Sequence, residues 1–149
     1  MCARRNRGHH GLPKGVRLTG HNIETTTTLT LMNCPFGENP RLLAPTPLPH
    51  SAGVLTLPIL TLCGEIVIMP RPDIGEYLRL IERHRITHSF LSPTVINGLL
   101  DHPGLGSAKL GSLRCIWYGA APMSPARLAE ALTRIGGCSG NCSGRPHRT

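Results

Sequence analysis

Aromatic residues make up only 3% of this 149-residue chain, with one Trp, two Tyr and two Phe. None of them interleaves with the basic residues at the chain ends, which excludes a platform that stacks successive bases of a single strand. The scarcity also leaves the core to Leu, Ile, Val and Ala. Charged residues are few as well, at 16%, below the usual share of a soluble domain. No apolar run approaches the roughly 20 residues that a membrane-spanning helix needs. No apolar stretch follows Arg4-Arg5-Asn6-Arg7, where a secretory leader would carry one. The expectation is a cytoplasmic protein with no membrane span.

Apolar residues reach 40%, enough for a single domain with a real core. The 17 glycines and 14 prolines sit largely at junctions and act as punctuation between elements. The net charge of +8 points to nucleic acid, an anionic membrane or an anionic small ligand. Much of the excess lies at the ends, in Arg4, Arg5, Arg7, Lys14, Arg17, Arg145 and Arg148. A nucleic-acid partner is therefore the weaker reading. Of the six cysteines, Cys63 and Cys115 lie in apolar runs and read as buried small hydrophobes. Cys138, Cys142 and His147 match no zinc spacing and lack a fourth ligand, so no metal site is expected.

Residues 1–10 are basic and without periodicity. Gly11 to Val16 forms a turn around Lys14. Asn22 to Met32 is threonine-rich, and Thr25 to Thr28 favour strand by propensity while a polar helix start is also open. Cys34 to Pro49, rich in proline, reads as loop. From His50 the pattern is regular. Ala52 to Leu62 reads as a buried helix ended by Gly64, and Glu65 to Met69 as a buried strand. Asp73 and Glu76 form a capping box ahead of Ile74, Tyr77, Leu78 and Ile81, which share one helical face. Ile86 to Leu91 is a strand. Ser92-Pro93 opens a helix with Val95, Ile96, Leu99 and Leu100 inward. Leu113 to Tyr118 is a third strand. Ser124-Pro125 opens a last helix with Leu128, Ala131, Leu132 and Ile135 inward, ended by Gly136. No strand is expected after it. Alternating strands and helices predict an α/β fold with a parallel sheet and crossover helices. Ligands of such sheets sit beyond the carboxyl ends of strands, so Gly119-Ala120-Ala121-Pro122 is a natural ligand edge. A plain tight turn explains that loop equally well.

Three motifs in order add to this reading. Gly11-Leu12-Pro13-Lys14-Gly15-Val16, with Leu18-Thr19 and His21-Asn22, resembles the phosphate loop of the adenylate-forming superfamily. Pro47-Leu48-Pro49-His50-Ser51-Ala52-Gly53 resembles its histidine-containing substrate motif. Tyr118-Gly119-Ala120-Ala121-Pro122-Met123-Ser124-Pro125 resembles its nucleotide and acyl-pocket loop. Phe90-Leu91-Ser92-Pro93-Thr94 is similar to a segment common in acyl-CoA synthetases. The resemblance covers residues 11–136 and implies a partial large domain, with a basic, unstructured segment at 1–10 and an unstructured Gly/Ser/Arg tail at 137–149. It implies ATP, magnesium, coenzyme A and a carboxylic acid as ligands, with an acyl-adenylate passed on to a thioester. By the same resemblance Gly11, Lys14 and Gly15 hold ATP phosphates. His50, Gly119 and Ala120 border the acyl group, and Gly119, Ala120, Ala121 and Pro122 border adenine.

The chain departs from the pattern at both ends. The family loop reads Thr-Ser-Gly-Thr-Thr-Gly where this chain has Asn6-Arg7-Gly8-His9-His10-Gly11. The Tyr-Gly-x-Thr-Glu motif expected near residue 145, the ribose-binding aspartate and the C-terminal domain with its catalytic lysine are not in the sequence. A one-base change of reading frame would turn Thr-Thr into His-His, and would hide the start of Thr-Glu or Thr-Asp within His147-Arg148. No residue is assigned a catalytic role. The expectation is a piece of an acyl-CoA synthetase that is inactive alone, with a non-catalytic nucleotide- or acyl-binding remnant as the alternative.

Overall fold

A computed structural model describes residues 2–6, 14–45, 48, 53–119, 121–136 and 138–141. The chain divides into two units, residues 1–34 and 35–149. In the first, β1 (Cys2–Asn6) pairs antiparallel with β2 (Lys14–Leu18), Cys2 opposite Leu18 and Asn6 opposite Lys14. Lys14 and Gly15 therefore lie on a strand rather than in the expected turn, and β1 occupies residues that have no periodicity. The threonine-rich stretch is helical: α1 spans Gly20–Asn33. Thr19 and Asn22 cap it reciprocally, and the hydroxyls of Thr26, Thr27 and Thr30 donate to carbonyls four residues back at 2.7–2.8 Å. Those local bonds give the threonines a helical use that outweighs their strand propensity. Among its residues none is buried.

The second unit is α/β with a parallel sheet, as the alternation predicts. In order come β3 (Arg41–Ala44), α2 (Gly53–Thr61), β4 (Glu65–Ile68), α3 (Ile74–His84), β5 (His88–Leu91), α4 (Pro93–Asp101), β6 (Cys115–Tyr118), α5 (Pro125–Arg134) and β7 (Cys138–Asn141). The strand order is β4-β3-β5-β6-β7, all parallel. Two of these strands were not expected. β3 is a four-residue strand within the proline-rich stretch read as loop. β7 follows Gly136, where no strand was expected.

Connectivity fixes the layers. The chain steps from β3 outward to β4, then returns across β3 to β5 and continues to β7. Right-handed crossovers then place α2 on one face and α3, α4 and α5 on the other. The main buried cluster agrees: it joins Tyr77, Leu78 and Ile81 of α3 with Ile96, Leu99 and Leu100 of α4 and Ala131 of α5, but takes nothing from α2. Strand alternation sorts the sheet residues accordingly. Leu43, Leu91, Ile116 and Tyr118 join that cluster, while Leu42, His88, Phe90 and Trp117 point to the other face and are also buried.

Local chemistry explains the helix starts. The Asp73 carboxylate accepts from Glu76 N at 2.7 Å, while the Glu76 side chain pairs with Arg79 instead of completing the box. Ser92 and Ser124 cap α4 and α5, each followed by proline at the first helical position. Several expectations of burial are corrected. β4 is an edge strand, with Ile68 57% exposed, because nothing pairs with its outer side among the described residues. α2 buries Leu55, Pro58 and Ile59 but exposes Val54, Leu57 and Leu60, so it covers the sheet with one face only. Leu132 is likewise exposed on α5, and Val95 is half-buried on α4. Cys63, read as a buried hydrophobe, is exposed, whereas Cys115 is buried as expected. No helix among the described residues is long and apolar enough to cross a membrane.

Candidate functional site

The reversal of strand order falls between β3 and β5. Helices on opposite faces diverge at such a point and open a crevice beyond the carboxyl ends of the strands. Three motif segments leave the sheet at this edge. Pro45 to Gly53 runs from the end of β3 into α2, Ser92-Pro93 follows β5, and Gly119 to Ser124 follows β6. Sequence spacing alone does not predict the first placement, because β3 itself is hidden among prolines.

Gly119 is the best-defined member of the edge. It is buried, and a Cβ built on it would stand 3.1 Å from Phe90 Cζ and 3.7 Å from Phe90 Cε2. Phe90 pairs with Trp117 across β5 and β6, so its ring lies directly beneath the start of the loop. A hydrogen at residue 119 thus lets the backbone settle on the ring. Ala121 and Pro122 are exposed, giving a small-residue surface that a flat group can approach. Gly53, at the start of α2, also admits no side chain, since a Cβ there would collide with the Leu48 carbonyl oxygen. Ser92 and Ser124 bring the N-termini of α4 and α5 to this edge, their hydroxyls accepting from Val95 N and Arg127 N at 3.4 Å.

An ion-pair group holds α5 against α4. Arg127 reaches Asp101 at 2.7 Å and Glu130 at 3.0 Å, and Arg134 reaches Glu130 at 2.9 Å and the Leu100 carbonyl at 2.7 Å. Hydrogen bonds from Arg134 and Arg127 hold the Glu130 carboxyl below its ordinary range, and those that Arg127 donates to Asp101 and Glu130 push its own pKa up. This group fixes the helix that starts six residues after Gly119. Neither Arg127 nor Phe90 as the support of Gly119 was identified from the sequence. The i, i+3 spacing of Arg127 and Glu130 is the only signal it offers for the former.

The other expected site residues fall into two sets. Lys14 and Gly15 lie in the first unit, on β2. Gly11, His50 and Ala120 lie outside the described residues, as do Cys142 and His147. Among the described residues no group of three or more His, Cys, Asp or Glu could hold a metal ion. The exposed small residues Ala121 and Pro122 leave room for a flat group beside the loop.

Comparison with known proteins points the same way. The family model described as AMP-binding enzyme matches residues 8–142. A medium/long-chain-fatty-acid–CoA ligase of Mycobacterium tuberculosis is 40% identical over 129 residues, covering 87% of this chain and 23% of the relative. A feruloyl-CoA synthase of Amycolatopsis is 36% identical over 125 residues, covering 83% of this chain and 25% of the relative. Among solved structures, an amide bond synthetase of Marinactinospora thermotolerans superposes with a TM-score of 0.85 at 33% identity, covering 93% of this chain and 28% of that one. The o-succinylbenzoate coenzyme A synthetase of Bacillus subtilis, in complex with ATP and magnesium ion, gives 0.79 at 26% identity, covering 92% and 28%. The chain thus spans about a quarter of the length of the curated relatives it matches.

Proposed function

The chain belongs to the AMP-binding enzyme family, and from that premise we propose that it carries part of the ligand site of an ATP-dependent acyl-CoA synthetase. The parent reaction joins a carboxylate to ATP, releasing pyrophosphate and leaving an acyl-adenylate. The thiol of coenzyme A then displaces AMP to give the thioester. The acid is a fatty or related acyl group, in keeping with the fatty-acid–CoA ligase among its relatives. ATP, magnesium, coenzyme A and the acid are its partners, and the cytoplasm its place of action.

Gly119 to Pro122 border adenine and the acyl group, Gly119 seating the loop on the Phe90 ring. His50 stands beside the acyl site. Lys14, with Gly11 and Gly15, meets the phosphates. Such a site works by holding a triphosphate against a carboxylate and by neutralising charge as the new bond forms. Closure of a second domain over the nucleotide gates both half-reactions, and residues 1–149 span about a quarter of the relatives' length. We therefore propose that residues 1–149 alone do not complete adenylation and keep at most the nucleotide contacts. The observation that carries the reading is the convergence of the segments after β3, β5 and β6 on one edge, with Gly119 seated on Phe90.

Titration calorimetry of the purified chain with ATP tests it. Weak, saturable binding that falls further in Lys14→Ala supports a remnant nucleotide site. A flat titration at millimolar ATP, with circular dichroism showing folded protein, rejects it.

A further inference from the structure

Four residues of the sheet unit form a buried cluster away from the ligand edge. His88, at the start of β5, is fully buried. Its ring stacks on the indole of Trp117, centroids 5.4 Å apart at 18°, and touches the Phe36 ring at 5.3 Å. Phe36 in turn lies 5.5 Å from Trp117. Nδ1 of His88 is 2.6 Å from Thr87 Oγ1, and Nε2 is 3.4 Å from the Pro35 carbonyl oxygen. Thr87 Oγ1 also accepts from Arg41 N at 2.7 Å.

These contacts pin one segment. Residues 35–40 connect the chain boundary at Cys34 to β3, and they contain two backbone positions with positive φ, Gly37 at 64° and Asn39 at 46°. A Cβ on Gly37 would collide with the Arg114 guanidinium, so the segment rests on that side chain as well. Among the described backbone bonds, none is donated by residues 36–39. The far end is fixed, because Pro40 is buried and its carbonyl accepts from Glu65 N at 3.0 Å, while residues 35–39 are held mainly by the Phe36 ring, the His88 contact and Arg114. We propose that residues 35–39 are an acid-released strap, clamped by neutral His88 and freed when that imidazole gains a proton.

The charges around His88 set the direction. From the start of β6, Arg114 faces it as a cation. From β3, the Arg41 guanidinium is engaged by Glu65 at 3.3 Å and by the His84 carbonyl at 2.9 Å. Within the strap, Glu38 is exposed. Phe36 and Trp117 carry no charge. A second proton on the ring still finds a hydrogen-bond acceptor in Thr87 Oγ1, so the cost lies in the buried charge itself. The indole face attracts a cation and opposes that cost, but burial dominates and holds the imidazole below its ordinary 6.5, with Arg114 adding to the effect and the Pro35 carbonyl opposing it. A histidine depressed in the folded state contributes its full stability above the unfolded value. That contribution is lost as pH falls below 6.5 toward the folded value.

Trp117 is the single tryptophan of the chain and reports the strap directly. Its fluorescence is followed from neutral to mildly acidic pH in the full chain, with acrylamide as a collisional quencher and far-UV circular dichroism as the fold control. The expected result is a reversible red shift and a several-fold rise in acrylamide quenching, with a midpoint below 6.5 and unchanged circular dichroism. His88→Gln abolishes the transition. Phe36→Ala, which removes the strap's anchor and leaves His88 in place, gives high quenching already at neutral pH. Three results overturn the proposal: dimming of Trp117 without quencher access, a transition that persists in His88→Gln, or Phe36→Ala with a still-shielded indole at neutral pH.

Discussion

At Gly119 the fit between the loop after β6 and the core beneath it turns on a single hydrogen. A Cβ would stand 3.1 Å from the Phe90 ring, closer than carbon atoms comfortably pack, and the ring is itself buried at 6% exposure. Gly119→Val should therefore lower stability by about 1–3 kcal/mol, the usual cost of overpacking a filled core. Adding Phe90→Leu should recover part of that loss, because the two residues touch and their effects do not add. Urea denaturation of both single variants and the double variant reads the coupling; strict additivity would remove Phe90 as the support of the loop. The sequence marks Gly119 through its position after an apolar run and through the motif it resembles. It says nothing of Phe90 beneath it, since a contact between neighbouring strands depends on register, and register does not appear in a linear pattern.

Among the elements, those with strong local chemistry were legible and those without were not. α3, α4 and α5 each begin at a capping side chain and carry an apolar stripe, and each lies within a residue or two of where the sequence puts it. Asp73 is the clearest cap, accepting from Glu76 N at 2.7 Å. Asp73→Ala should cost about 1 kcal/mol, the typical value of a lost N-cap, while Asp73→Asn should cost far less. A shift of the urea midpoint in the alanine variant alone checks this; equal shifts in both would mean that the carboxylate acts by charge instead of capping. β3 was missed because its four residues, Arg41–Ala44, sit between Pro40 and Pro45, and prolines so close together read as loop. α1 was ambiguous because threonine propensity and threonine back-bonding to the helix pull in opposite directions. β4 was recognised as a strand but expected to be buried, since a short β-branched run looks the same at the centre and at the edge of a sheet.

For the whole molecule, the sheet and its switch point are parts of an adenylate-forming large domain, with Gly119 at the carboxyl end of β6. The exposed apolar residues Val54, Leu57 and Leu60 on α2 and Ile68 on β4 form a surface that a free chain in water would tend to bury by association. Adenylation demands more than a pocket edge: the triphosphate must be held in line with the carboxylate, and a closing domain must exclude water. The direct measurement is acid-dependent exchange of labelled pyrophosphate into ATP, run on the purified 149-residue chain with a panel of fatty and aromatic acids and magnesium. No exchange above the acid-free background is the predicted result. Exchange that depends on one of the acids would contradict the account, because it would mean that these residues already hold a complete adenylation site.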